Sequence, residues 1–298
     1  MTHAMPLASS TLVSRDEDTS RGRRPKLSAV SIMFYAVLGF WAVLSVGPLL
    51  WMLMNSFRSK DEIFSAPIGL PHLDKITNYP DAWNFVDLGS AMVSSLTVSV
   101  AAVLLGGVCT FLIGFALSRG SLPFSGAIFT FFLAGLMIPT FSLLFPILLQ
   151  FQSANLVSHR LGLVLVNAGF SISLGVFLFK GAFDAVPREY MEAASLDGAS
   201  VPRMLISLFL PIMRPSIATF VILTFIHSYN DFVFALVLNN DPSWRTLPVA
   251  LLQFNGANVV RYDLLFAAIS IATLPPVIVY LFLRKQVQSS MAMGGRVG

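Results

Sequence analysis

The chain has 298 residues, of which 55% are hydrophobic and only 11% charged, against about 25% charged in an ordinary soluble domain. That leaves too little polar surface to cover a water-soluble core and points to a protein that crosses a bilayer several times. The formal net charge of +4 is what Lys and Arg on cytoplasmic loops produce, and it calls for no nucleic-acid partner.

Residues 1–26 are polar, rich in Ser and Thr, and close on Arg21, Arg23, Arg24 and Lys26; they read as a disordered cytoplasmic tail. The apolar run that follows starts too late and is too long for a cleaved signal peptide. Charge-to-charge spacing then places the spans. Lys26 to Arg58 leaves 31 uncharged residues, Asp87 to Arg119 leaves 31, Arg119 to Arg160 leaves 40, Arg160 to Lys180 leaves 19 and Asp263 to Arg284 leaves 20. Each supplies the ~20 residues a helix needs to cross a bilayer. Pro139 and Pro146 interrupt the third run, and Cys109, the single cysteine, sits in the second as a small packing residue. A further span begins near Pro211, with Arg214 at its start and His227 to Leu238 as its bent outer end.

The predicted fold is therefore an all-α membrane protein with six transmembrane helices near 30–54, 91–117, 124–149, 161–179, 211–238 and 264–283, in one transmembrane domain over 27–298. With the N-terminus inside, 13 Lys/Arg fall on the inner side and 6 on the outer. That bias predicts both termini in the cytoplasm and a multi-pass plasma or inner membrane location.

Between the fourth and fifth spans lies a polar island, Glu192-Ala193-Ala194-Ser195-Leu196-Asp197-Gly198-Ala199. Pro187 suits the first turn of a short helix, which Arg188 to Leu196 continue. Asp197-Gly198 is a stop-and-turn signal, with Gly198 free to take a positive φ. Ser200 is placed to cap a second helix, where the early Pro202 is tolerated. The product is a compact helix–turn–helix whose small Ala193 and Ala194 let a partner surface approach closely.

This island resembles the EAA loop of the membrane subunits of binding-protein-dependent ABC importers. The family pattern is Glu-Ala-Ala, three residues, Gly, nine residues, Ile, one residue, Leu-Pro. Here it reads Glu192-Ala193-Ala194, Gly198, Leu208 in place of Ile, then Leu210-Pro211. Ala116-Leu117-Ser118-Arg119, Leu136-Met137-Ile138-Pro139 and Asn230-Asp231-Phe232 extend the similarity, as does the loop carrying Trp244, Thr246-Leu247-Pro248, Gln253-Phe254 and Gly256. That last loop resembles the one the smaller maltose-type permease subunit presents to its binding protein. The Gly-rich C-terminal ending departs from the family, because its basic residue, Arg296, is shifted.

The resemblance implies a carbohydrate permease domain driven by ATP hydrolysis on partner subunits. It implies as partners a second, homologous permease subunit, two ATPase subunits and an extracytoplasmic sugar-binding protein, besides membrane lipid. It makes Glu192, Ala193, Ala194, Asp197, Gly198 and Ala199 the ATPase-coupling residues of a coupling helix between helices 4 and 5. Asn230, Asp231, Gln253, Phe254 and Gly256 become candidates for the translocation path or for contact with the binding protein.

Read by themselves, Asn230 and Asp231 either line the path or brace a broken helix, or else sit in water at the outer interface. Trp244, Phe254, Trp83 and Tyr79 either stack on sugar rings or belong to an interfacial belt or loop packing. No enzymatic chemistry is visible. No G-x-x-x-x-G-K-[ST] phosphate loop occurs, so ATP and Mg are expected on partners and no cofactor on this chain. His3, His72, His159 and His227 lack zinc spacing, and Ser171 and Ser173 lack the His or Asp that would make a nucleophile. An ion-coupled secondary transporter is the rival reading; it would carry paired ionisable residues at mid-membrane and often an internal repeat, and neither is seen.

Overall fold

The computed structural model describes residues 29–71, 73–120, 122–256 and 260–294. The predicted tail over 1–26, together with His3, His72 and Arg296, lies outside the described residues. Residues 1–49 and 50–298 form two separate units. Among the described residues every regular element is helical, apart from one isolated antiparallel bridge between Asn255 and Val260.

Helix α1 (Ala29–Asn55) is apolar throughout, with Val30, Phe34, Phe40 and Trp41 all exposed. A connecting segment follows, holding α2 (Lys60–Ser65) and α3 (Asn78–Phe85). Ser59 and Glu62 cap α2 reciprocally, each side chain taking the other residue's backbone N–H. The 32-residue α4 (Leu88–Arg119) leads into α5 (Ser125–Gly135) and α6 (Leu144–Ser153), then α7 (Arg160–Asp184). Next come α8 (Arg188–Leu196), α9 (Val201–Met204), a π turn over Leu205–Phe209, α10 (Leu210–Ile212) and α11 (Arg214–Tyr229). The short α12 (Val233–Leu238) and α13 (Leu247–Leu251) precede α14 (Tyr262–Ala272) and α15 (Leu274–Gly294).

Four stretches are long and apolar enough to cross a membrane: Val30–Asn55, Leu88–Arg119, Arg160–Asp184 and Tyr262–Gln288. Two more candidates are bent pairs, Ser125–Gly135 with Thr140–Ser153 at 93° and Val201–Ile212 with Arg214–Tyr229 at 80°. The predicted third span, 124–149, is thus not one straight helix. Pro139 is extended (φ −62°, ψ 116°), and a proline pushes the residue before it out of helical geometry. The N–H groups of Leu136, Met137 and Ile138 turn back onto Leu133, Ala134 and Gly135. Pro146 falls in the first turn of α6, where its missing N–H costs nothing.

The fifth predicted span is likewise not one straight helix. It is helical around Pro211, bends at Met213, continues from Arg214 to Tyr229 and resumes at Val233, the break lying within the outer end predicted as bent. The sixth is interrupted at Thr273 by Pro275 and Pro276, and its helix runs well past 283. Pro276 cannot donate to the Ala272 carbonyl four residues back; the Tyr229 hydroxyl does so instead, at 3.2 Å. A neighbouring helix thereby restores the bond a proline removes, as a bilayer interior requires.

Helices α4 and α7 form the spine, and they run parallel. A Cβ added at Gly106 would stand 2.2 Å from Ser171 Oγ; one at Gly175, 2.5 Å from Thr110 Oγ1; one at Gly114, 2.9 Å from the Phe179 Cβ. The pairs advance four residues at a time in the same direction, and small residues hold the two backbones close. Two buried clusters lie toward the α4 N-terminus, hereafter the loop end: one gathers Leu88, Ala91, Tyr229, Phe254 and Ala267, the other Val98, Leu163, Phe234 and Trp244. A third lies at the opposite, hairpin end, around Phe179, Phe183, Phe209 and Phe220.

Candidate functional site

Helix α8 sits at the hairpin end. Pro187 stands one residue before it, as the N-cap with extended backbone, rather than within its first turn. Its far end is a Schellman motif. Gly198 N–H bonds to Ser195 C=O at 3.0 Å and Ala199 N–H to Ala194 C=O at 2.9 Å, with Gly198 at φ 74°. The positive φ expected of Gly198 is therefore present, and a Cβ there would meet nothing within 4 Å. Ser200 occupies the N-cap of α9, but its side chain makes no capping bond.

The hairpin has two faces. Met191, Ala194 and Ala199 pack against the aromatic cluster. Glu192, Ala193, Leu196, Asp197 and Gly198 are exposed, Leu196 at 90%. Of the six predicted coupling residues, four thus lie on the open face while Ala194 and Ala199 turn inward. Glu192 makes no capping bond within the described residues.

Beneath the hairpin, six phenylalanines interlock: Phe111 and Phe115 of α4, Phe179 and Phe183 of α7, Phe209 of the π turn and Phe220 of α11. Their ring centroids stand 5.0 to 5.8 Å apart. Arg119, the last residue of α4, donates to the carbonyls of Phe183 and Val186. Those carbonyls belong to the end of α7 and the linker into α8. The same guanidinium lies 5.9 Å from the Phe209 ring centroid. Ser118 donates to Asp184 at 2.5 Å, and Lys180 pairs with the other carboxylate oxygen at 2.6 Å. One end of α4 is thereby tied to the end of α7, to the linker into α8 and to Phe209 of the π turn.

The loop-end candidates divide. Asp231 accepts from Asn167 Nδ2 at 3.1 Å and from the Phe234 N–H at 3.2 Å, so it caps α12 and braces that helix against α7. Asn230 is exposed, and its amide bonds back to Ile226 C=O. Gln253 and Gly256 are exposed on the segment between α13 and α14. Phe254 does not share that surface. It is fully buried and stacked on Phe85 at 5.4 Å, which makes it a packing residue. Trp244 is likewise buried, under the Arg160 guanidinium at 5.5 Å. Tyr79 packs on Phe57 and shares a hydrogen bond with Ser56, while Trp83 stays 43% exposed. In the loop beside them, bonds from Ser243 hold the Asp241 carboxyl below the ordinary carboxylate range. Among the described residues no group of three or more His, Cys, Asp or Glu could hold a metal ion.

Sequence reasoning missed Asn167 and the reach of Arg119. Asn167 gave no signal, being one amide in an apolar run. Arg119 lay in a motif already noted, Ala116 to Arg119, but its partners come from 64 and 67 residues away.

Comparison with known proteins places this geometry. The diacetylchitobiose uptake system permease protein of Streptomyces coelicolor is 32% identical over 266 residues, covering 87% of each chain. A probable starch degradation products transport system permease protein of Thermoanaerobacterium thermosulfurigenes is 30% identical, over 85% of this chain and 92% of that one. In fold, the chain matches one from a bacterial ABC transporter that imports the acidic polysaccharide alginate, with a TM-score of 0.76 at 20% identity, over 88% of this chain and 99% of the other. Residues 102–293 match the family described as binding-protein-dependent transport system inner membrane component, and to that family the chain belongs.

Proposed function

We propose that this chain is a permease subunit of an ABC importer for carbohydrate and that α8 is where ATPase subunits drive it. One observation carries the reading: a short helix, ended by a glycine at positive φ, presents an open face on one side and is seated on an aromatic cluster shared by α4, α7 and α11 on the other. A push on the open face reaches three long helices at once. Relatives named for diacetylchitobiose, for starch degradation products and for melibiose, raffinose and stachyose support an oligosaccharide or sugar derivative as cargo.

The mechanism is alternating access. ATP, held with Mg2+ on two partner ATPases, closes their dimer; the α8 hairpins of this chain and of a homologous second permease move with it, and the pair opens outward to an extracytoplasmic sugar-binding protein. Arg119 keeps the hairpin and α4 moving as one body. Exposed Gln253 and Gly256 are the loop-end surface offered to the binding protein. The parallel course of α4 and α7 supports a six-span topology. Residues 120–159 must return from the hairpin end to the loop end, so the bent α5–α6 pair makes one crossing. Helices α11 and α12 make another.

Two measurements test this. The purified chain should hydrolyse no ATP by itself, whereas its assembly with ATPases in proteoliposomes should take up labelled oligosaccharide only when ATP is supplied. Sustained, substrate-stimulated hydrolysis by the isolated chain overturns the reading. In a Cys109-free background, a cysteine at position 256 should react with an impermeant thiol reagent added outside intact cells. One at position 120 should not, and its labelling overturns the topology.

A further inference from the structure

Helices α4 and α11 flank a groove of about 440 Å3, with α9, the π turn and α10 at its hairpin end. Exposed Leu104 and Val108 form the α4 wall, and Ile217 and Val221 the α11 wall. The floor is Phe179 and Phe220, both buried, with Gly107 between the helices; a Cβ on Gly107 would stand 3.2 Å from the Phe220 ring. No residue with a polar side chain lines the groove, so water is a poor occupant.

Its length narrows the choice further. Along α4 the lining runs from Val103, near the middle of that 32-residue helix, to Leu112, toward the hairpin end. At ~1.5 Å per residue this is ~14 Å, half of the ~30 Å hydrocarbon core. One leaflet's acyl chain fits that depth. A spanning helix of a partner subunit needs the whole core, and the groove does not continue past Val103.

The hairpin end of the groove also carries charge. Arg203 directly follows Pro202 of the lining, and Arg214 stands one turn before Ile217 on α11. Both side chains are exposed, and neither guanidinium has a hydrogen bond or ion pair among the described residues. No Asp or Glu lines the groove. Two free cations at the end of an apolar slot one leaflet deep make a basic site of the kind that holds anionic lipid headgroups between transmembrane helices.

We propose that this groove binds an anionic phospholipid of the leaflet on the hairpin side, one acyl chain in the slot and the headgroup at Arg203 and Arg214. The chain lies on Phe179 and Phe220, two members of the cluster that seats α8. Occupancy therefore sets how firmly a displaced hairpin moves α4 and α11. That consequence rests on the import reading above; the binding site does not.

The test uses the assembled importer in detergent, with phosphatidylglycerol that carries a photoreactive group on its acyl chain. Label should enter the α4 segment around Leu104 and Val108. Unlabelled phosphatidylglycerol should displace it at a concentration at least about tenfold lower than phosphatidylcholine, as two arginines near the surface predict. Arg203→Gln with Arg214→Gln should remove that preference while ATPase co-purification stays normal. Val108→Trp fills the slot from its exposed side and should remove the label itself. Equal displacement by both lipids, a preference that survives the double variant, or no label in the groove overturns the proposal. So does a Val108→Cys cross-link to the second permease, which would show a partner covering the groove. In proteoliposomes, uptake per ATP hydrolysed should fall when phosphatidylglycerol is left out; a ratio that does not move overturns the effect on coupling. Labelling and uptake separate the two levels. If the groove is labelled and no lipid mixture supports sugar uptake, the import reading fails and the lipid site stands; if uptake proceeds without label, only the lipid site fails.

Discussion

At the loop end, Arg58 is only 3% exposed and donates to Asn55 Oδ1, Glu62 C=O and Ala66 C=O at 2.7 to 2.8 Å. Asn78 donates in turn to the carbonyls of Ser56 and Arg58. Directional bonds of this kind admit one arrangement. At the hairpin end six phenylalanine rings meet edge to face or tilted, and the polar ties are few: Arg119 to two carbonyls, and Asp184 to Ser118 and Lys180. Ring contacts are worth about 0.5–1.5 kcal/mol each beyond their burial, and they tolerate small shifts that a guanidinium fork does not. The difference fits the proposed roles: directional bonds hold one end rigid, while the other is built from contacts that tolerate displacement.

Substitutions can break this contrast, and the largest effect is expected at the hairpin end. Phe183 is fully buried against Phe111, Phe115 and Phe209, so Phe183→Ala should cost about 3–5 kcal/mol through the cavity it leaves. Thermal unfolding in detergent and membrane abundance should both report it. Arg58→Ala should come next, at about 3 kcal/mol, by stranding buried acceptors. Arg58→Lys should not rescue it, because an ammonium cannot reproduce the planar fork; full stability with Lys would remove the case for a locked loop end.

Two glycines sharpen the comparison. A Cβ on Gly69 would stand 2.5 Å from Arg58 Nη2, so Gly69→Ala should cost about 1–3 kcal/mol by displacing the guanidinium. Gly198→Ala meets open space and suffers only backbone strain of about 1–2 kcal/mol. The smallest effect on stability should be that of exposed Glu192. Glu192→Ala should change stability by less than about 0.5 kcal/mol, yet lower uptake, since what it loses is a contact outside this chain. A stability loss as large as that of Arg58→Ala would place Glu192 in the fold rather than at a docking face.

The hairpin was legible because its cues are local. Asp197-Gly198 dictates a stop and a positive φ wherever the helix lies, and charge-free runs dictate span lengths. What stayed hidden depends on distant partners. Phe254 left its role open between sugar stacking and loop packing, because nothing nearby announces that Phe85 covers it. Asp231 left its role open because Asn167 lies 64 residues away. The elbow was half visible: Pro139 foretold a break, but the 93° angle and the pocket it leaves against α7 and α11 come from packing. A subtler cue was available in Thr224 and His227, whose spacing of three residues puts two polar groups along one side of α11.

The central claim is that the α8 hairpin couples this permease to its ATPases, and Gly198→Asp tests it most directly. The substitution adds a Cβ at φ 74° and places a charge where a partner must approach closely, while leaving the long helices untouched. Membrane abundance, ATPase co-purification and uptake should be measured on the same preparation. The account predicts normal abundance with both co-purification and uptake lost; a variant that inserts, keeps its ATPase and transports normally would contradict it.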